Sequence, residues 1–383
     1  MKPLPHQEKF VSNYTGKRLL AWECGTGKTI AGCLWLKDNR EDLSLVVCPK
    51  RVVAKWKDEL KKWGVRSCVV VVSKEDFKKY PVVAWKHIII DEGDWFASPL
   101  FVKGRSKLTT QMYKVIKLFA PEVLILTATP IRSTPWNLHT LLTFSGNYID
   151  WKKWREHFFE FKKMPYMPRP AYFPKSNWRK LIRPVLEKYS DIVLLRDCVD
   201  YLPPITEYKI PVKVDPFTPS EWEGTAAFNE MHRHEQRNKV KHILEIAREY
   251  RKVLVVAYYT EHINELKREL SKDREVFVLS GSTKDQAQTI KDAHESDECF
   301  FIVQNSVGDG WDGDSFSCVV FTSMSWAVRD YIQIKSRVRR IHNLHPVAYY
   351  FLLAGQCDKK VFNNIKMGKD FVPSEFKYES ETN

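Results

Sequence analysis

Short apolar runs alternate with helical stretches along most of the chain. Residues 17–22, 45–48, 69–72, 87–90 and 123–126 read as strands, and residues 29–37 and 52–63 as helices. Strands that are apolar throughout, separated by helices, predict a parallel sheet covered on both faces. The same alternation returns after about residue 237. Helices are expected over 239–249 and 262–270, and strands over 253–257, 276–279, 300–303, 318–322 and 347–353, with a closing helix. The fold class is therefore α/β, with two tandem parallel-sheet domains and a ligand cleft expected between them. The stretch between them is aromatic, basic and proline-rich and reads as a helical insertion with an irregular loop. Leu202-Pro203-Pro204 marks a hinge, because consecutive prolines fix an extended backbone. The expected organisation is 1–148, 149–215 and 216–383.

The chain has 383 residues, 44% hydrophobic and 28% charged, which excludes a wholly disordered chain. Lys and Arg number 61 against 47 Asp and Glu, a formal net charge of +14. That excess predicts a polyanionic partner, nucleic acid ahead of an anionic membrane surface. No apolar run approaches the roughly 20 residues that span a bilayer, and Met1-Lys2-Pro3-Leu4-Pro5 lacks the apolar centre of a secretory leader. The 8 cysteines never form a C-x-x-C pair. They read as reduced, buried thiols of a cytoplasmic protein, with neither a zinc site nor a disulfide framework. The histidines show no metal-ligand spacing.

Three groups of residues carry chemistry. Gly25-Thr26-Gly27-Lys28-Thr29 follows a strand and opens a helix, the context a phosphate-binding loop requires. Its glycines let backbone amides approach phosphates, and the helix start adds partial positive charge. Lys28 would contact the β- and γ-phosphates of ATP and the Thr29 hydroxyl would ligate Mg²⁺. Ile88-Ile89-Ile90-Asp91-Glu92 is an apolar strand ending in two carboxylates at the edge where parallel sheets bind ligands. Asp91 is expected to hold Mg²⁺ and Glu92 to activate the attacking water. Gln333, Arg337 and Arg340 share one face if their stretch is helical, and arginines so placed would neutralise charge on a transferring phosphoryl group.

With these residues in view, the chain resembles a superfamily-two helicase or translocase, closest to the Swi/Snf-like branch. The resemblance extends over nearly the whole chain and implies two RecA-like domains. Leu20 to Thr29 resembles the branch's Walker A segment, where Trp22 stands in place of the usual first glycine. Pro5-His6-Gln7 matches the place where the family reads adenine with a glutamine. Val46-Val47-Cys48-Pro49 with Trp56 and Trp63 resembles motif Ia, and Asp91-Glu92-Gly93-Asp94 resembles motif II, with Asp94 where the branch commonly has His. Leu126 to Ile131 resembles motif III, which implies that Thr127 and Thr129 couple ATP state to nucleic-acid grip. Residues 254–259 resemble motif IV, 279–283 the next strand-and-turn motif, 308–312 motif V and 333–340 motif VI. Gly310 and Asp312 are thereby implied at the nucleotide, and Lys50, Arg51, Ser282, Thr283 and Ser306 at the nucleic-acid backbone. Residues 194–197 before Leu202 resemble the linker of the branch.

The expected function is an ATP-dependent DNA translocase or helicase using ATP and Mg²⁺, with little sequence specificity because phosphate contacts do not read bases. No single residue separates DNA from RNA, so an RNA helicase is the nearest alternative. A non-enzymatic ATP-gated nucleic-acid clamp and a small-molecule kinase are the others. The insertion mixes basic and aromatic residues and reads either as a strand-separating or duplex-gripping element or as a small helical subdomain with tryptophans in its core. Trp22 and Trp311, beside their motifs, read either as ligand contacts or as core.

Overall fold

The computed structural model describes residues 2–12, 16–37, 42–65, 68–100, 106–131, 134–163, 170–307, 311–340, 345–370, 373 and 377. The chain divides into two compact units, Met1–Asp200 and Tyr201–Asn383, just ahead of the Leu202-Pro203-Pro204 segment.

The first unit is built on strands β1 (Leu19–Trp22), β2 (Ser44–Cys48), β3 (Val69–Ser73), β4 (His87–Asp91) and β5 (Glu122–Leu126). A hairpin follows, β6 (Phe159–Lys162) with β7 (Ala171–Pro174), and then β8 (Asp191–Val193). The main sheet runs β3-β2-β4-β5-β1-β8, and every pairing in it is parallel. β1 and β2 are buried along their whole length, which is why they read as unbroken apolar runs. Two apolar cores cover the sheet. One contains Trp22, Trp35, Trp56 and Ile89. The other contains Ile88, Ile90, Phe96 and Met112 and also takes in Trp154, Phe158, Phe159 and Trp178 of the insertion. Residues 149–200 are thus part of the first unit, with helices Trp151–Phe158 and Trp178–Tyr189 on either side of the hairpin.

The second unit carries β9 (Ile205–Pro211), β10 (Lys252–Ala257), β11 (Glu275–Leu279), β12 (Cys299–Gln304), β13 (Cys318–Phe321) and β14 (Val347–Leu353). Their order is β11-β12-β10-β13-β14-β9, again parallel throughout. Two cores flank this sheet as well. Residues 201–215, expected within the linker, therefore include an edge strand of the second sheet. Most of the thiols are buried, but Cys68 is exposed. Among the described residues no helix is long and apolar enough to cross a membrane.

Candidate nucleotide site and nucleic-acid groove

The phosphate loop begins where β1 ends. Gly25 and Gly27 take positive φ of 88° and 78°, a conformation glycine adopts without steric cost. A Cβ on Gly27 would also come 2.2 Å from Gln7 Nε2. Lys28 opens the helix Lys28–Lys37, and its Nζ donates to the carbonyls of Trp22 at 2.9 Å and Glu23 at 3.1 Å. Two of the ammonium's three protons thus fold the loop around it. The first-turn amides of this helix, like those of any helix, have no carbonyl within it and carry partial positive charge.

Both flanks of the loop are clamped. Gln7 Nε2 donates to the carbonyls of Thr26 at 3.2 Å and Gly27 at 3.3 Å, and Oε1 accepts from Leu4 N at 2.8 Å. The apolar pattern gave no sign of the short helix Pro5–Ser12 that carries Gln7. On the other side Glu23 N donates to Val193 O at 2.9 Å, and Glu23 Oε2 accepts from Leu195 N at 2.7 Å. Trp22 is fully buried and its Nε1 donates to Asp191 Oδ1 at 2.6 Å. Trp22 is a core residue that ties the loop to β8, so the ligand-contact reading does not hold for it.

Asp91 closes β4. Its Oδ2 accepts from Trp56 Nε1 at 2.8 Å and its Oδ1 from Glu92 N at 3.0 Å. Burial and the neighbouring Glu92 push Asp91 up to about 6, while Trp56 and the nearby charge of Lys28 pull the other way. Glu92 takes a positive φ of 50°, an uncommon setting for a non-glycine residue and one found at functional sites. Gly93 has no space for a side chain, since a Cβ there would come 2.3 Å from Ile125. Thr127 Oγ1 accepts from Thr129 N at 3.0 Å, and Thr127 N donates to Leu20 O at 3.1 Å. The turn after β5 is therefore joined to β1, between the loop and the carboxylates. These donors fit Mg²⁺, which binds through hard oxygens, typically one or two carboxylates plus substrate phosphates. Thr29 and Asp91 supply such oxygens, and a cation would offset the burial and the Glu92 repulsion that raise Asp91.

In the second unit, Gln333 and Arg337 lie on the helix Val328–Val338, with Gln333 buried. Arg340 does not share their helical face. The helix ends at Val338, where Gly313 N donates to Arg337 O at 2.9 Å. Arg340 lies beyond that end, held by an ion pair with Asp312 of 2.6 Å. Asp312 thus pairs with an arginine, and Gly310 lies outside the described residues. Trp311 is buried, its Nε1 donating to Val307 O at 3.0 Å; it too is core.

Lys50 and Arg51 are exposed on the turn after β2. Ser282 and Thr283 line a cleft of about 460 Å³ at the ends of β11 and β12, and Ser306 lines a neighbouring one of about 330 Å³. Thr260 and Gln304 line both, making one groove. The Thr283 hydroxyl donates to Val278 O at 2.9 Å and accepts from Ser280 N at 2.9 Å, so it shapes its own turn. Gln304 was not legible as a site residue. Its Oε1 accepts from Gly281 N at 3.3 Å and its Nε2 donates to Tyr258 O at 3.4 Å, which joins three loops of the groove.

Residues 69–258 match the family described as SNF2-related domain, and residues 235–342 match the helicase conserved C-terminal domain. The chain belongs to the SNF2-related helicase family. As an SNF2-related helicase it is a nucleic-acid-dependent ATPase. The SNF2-related match takes in Asp91, Glu92, Thr127 and Thr129, and the helicase match takes in Gln333, Arg337 and Arg340. The phosphate loop precedes both and stands on its own geometry. The chain is also similar to the solved Sulfolobus solfataricus SWI2/SNF2 ATPase core in complex with dsDNA. That likeness has 15% identity and a TM-score of 0.43, and covers 96% of this chain and 91% of that one. No curated protein matches it.

Proposed function

We propose that this SNF2-related ATPase uses the loop Gly25–Thr29 and the Asp91–Glu92 pair to hydrolyse ATP and so moves along DNA or unwinds it. One observation supports this most: the glycine-rich loop after β1 and the carboxylate pair ending β4 lie at the same edge of one parallel sheet, with only β5 between their strands. Lys28 and the loop amides hold the β- and γ-phosphates. Glu92 accepts a proton from the water that attacks the γ-phosphorus. Bound through Thr29 and Asp91, Mg²⁺ supplies positive charge against the phosphate oxygens. Gln333, Arg337 and Arg340 of the second unit act on the same phosphates, and the ion pair with Asp312 holds Arg340 ready. Gln7 Oε1 keeps one lone pair beyond the Leu4 bond, enough to accept from the adenine amino group.

Thr127 and Thr129 pass the nucleotide state to the DNA-holding parts of the chain. Lys50 and Arg51 in the first unit, and Ser282 and Ser306 in the groove of the second, contact backbone phosphates, and Thr283 sets the turn that presents Ser282. Such contacts confer salt dependence and little sequence preference. Duplex DNA is the expected track, and a cytoplasmic location suits this reading. The test is steady-state ATP hydrolysis alone and with single-stranded DNA, duplex DNA and RNA, with Lys28→Ala as the blank. Strong stimulation by duplex DNA is expected. Stimulation by RNA alone would make the chain an RNA helicase, and no stimulation by any polymer would favour the ATP-gated clamp.

A further inference from the structure

The insertion in the first unit concentrates the positive charge of the chain. Residues 150–190 hold eleven Lys and Arg against four Asp and Glu, so about a tenth of the sequence carries half of the net +14. Two of its three tryptophans, Trp154 and Trp178, are buried in the core of the unit and serve its packing. The aromatics of the hairpin behave differently along its length. At its base Phe159 is buried and stacks on Trp136 with ring centroids 4.3 Å apart. Two residues further along the same face, Phe161 pairs across the strands with Tyr172, centroids 4.8 Å apart. Phe161 is 61% exposed and Tyr172 42%. The Arg155 guanidinium lies 4.3 Å from the Tyr172 ring centroid.

Exposed aromatic side chains lose favourable burial, and a cross-strand pair needs only each other to steady a hairpin. An outward aromatic face set in dense positive charge is the arrangement that binds unpaired bases, with cations on the backbone and rings under the bases. We propose that the outer face of the β6–β7 hairpin, chiefly Phe161 and Tyr172, stacks an unpaired base of DNA. The proposal rests on the DNA reading above and adds a second contact, specific for single strands and fork junctions. A blunt duplex offers no open base face along its length, so the hairpin distinguishes a junction from uninterrupted duplex.

The test is fluorescence anisotropy with the full chain, using a forked DNA and a blunt duplex of the same length. Phe161→Ala and the double variant Phe161→Ala/Tyr172→Ala are compared with Phe161→Trp, which keeps a stacking ring. The alanine variants are expected to bind the fork about tenfold more weakly, with a change on blunt duplex of less than about twofold, and Phe161→Trp to hold the fork affinity. Equal losses on both DNAs, or no loss on either, would overturn the stacking role. So would a Phe161→Trp variant as weak as Phe161→Ala. If the wild-type chain binds neither DNA, the DNA reading itself fails, a result distinct from all of these. Circular dichroism of each variant checks that the fold is kept.

Discussion

Two pairs of carboxylates sit in similar chemical trouble, and the fold resolves them differently. In the second unit, Glu235 and Asp358 are buried side by side, and each oxygen has a partner. Asp358 Oδ2 accepts from Lys239 Nζ at 2.5 Å and its Oδ1 lies 3.0 Å from His232 Nε2. Glu235 takes the amides of Cys357 at 2.9 Å and Asp358 at 2.8 Å, at the start of the helix Gln356–Lys366. Burial pushes Asp358 up, but Lys239 and His232 outweigh it and hold the carboxyl at about 2. In the first unit, Asp91 has two hydrogen bonds and, among the described residues, no cation at ion-pair distance. Asp358 is compensated by a cation within the fold, whereas Asp91, with the charge of Lys28 only nearby, stays raised. A raised carboxylate beside a phosphate-binding loop is a stronger sign of a functional site than one held in a buried structural cluster.

The comparison breaks most visibly at Glu92. Glu92→Gln should lower DNA-stimulated ATP turnover by roughly 10²–10⁴, the usual contribution of general-base catalysis, while the melting temperature stays within about 2 °C of wild type. A large loss of stability with turnover intact would make the Asp91–Glu92 pair structural. At the Glu235–Asp358 pair the effects should be reversed. Lys239→Met leaves Asp358 buried without its ammonium, and breaking a buried pair in this way costs about 3–5 kcal/mol. Thermal unfolding should begin roughly 10 °C lower, and ATP turnover per folded molecule at low temperature should be little changed.

Glu235 gives a smaller effect with a definite sign. Burial and Asp358 raise it from 4.5 to about 7. A raised carboxyl binds its proton more tightly in the folded state. Its contribution is therefore fully present below pH 4.5 and is lost as pH rises through about 7. Wild-type stability should decline between pH 5 and pH 8 by on the order of 1–3 kcal/mol from this source. Glu235→Gln has no titrating proton there, so its melting temperature should start lower, with one backbone amide poorly matched, and show a flatter slope. Parallel slopes for the two proteins would remove Glu235 from the account.

The Asp91–Glu92 pair was legible in the sequence and the Glu235–Asp358 pair was not, for a physical reason. Asp91 and Glu92 are adjacent, end a fully apolar strand and follow a glycine-rich loop, so chain order alone places them. The buried cluster draws His232, Glu235 and Lys239 together with Asp358, which only the packing of two distant helices brings near. The sheets followed the same rule. Buried parallel strands such as β2 and β10 show as apolar runs, whereas β9 is almost wholly exposed at the edge of its sheet and carries no such run. The helix bearing Gln7 is too short to show a periodic face, and the end of the Val328–Val338 helix, which separates Arg340 from Arg337, carries no proline or glycine to mark it. Trp56 was read as part of motif Ia, but nothing local joined it to Asp91, 35 residues away.

That contact gives the finest test of the comparison. Trp56 is buried in the core beneath the sheet, and its indole N–H is the one side-chain hydrogen bond described at Asp91. Trp56→Phe keeps an aromatic ring in the core, gives up part of the buried volume and removes that donor, leaving Oδ2 unmatched. If the indole orients Asp91 for Mg²⁺, the Mg²⁺ concentration giving half-maximal ATPase activity should rise about tenfold, the usual scale for losing an outer contact to a metal ligand. Turnover at saturating Mg²⁺ should then recover to near wild type. A Trp56→Phe protein with unchanged Mg²⁺ dependence and a lowered melting temperature would show that the indole serves the core alone. Asp91 would then be positioned by the backbone, through the Glu92 amide and the left-handed turn at Glu92, and its difference from Asp358 would lie in the absence of a cation at ion-pair distance among the described residues and not in any dedicated side-chain support.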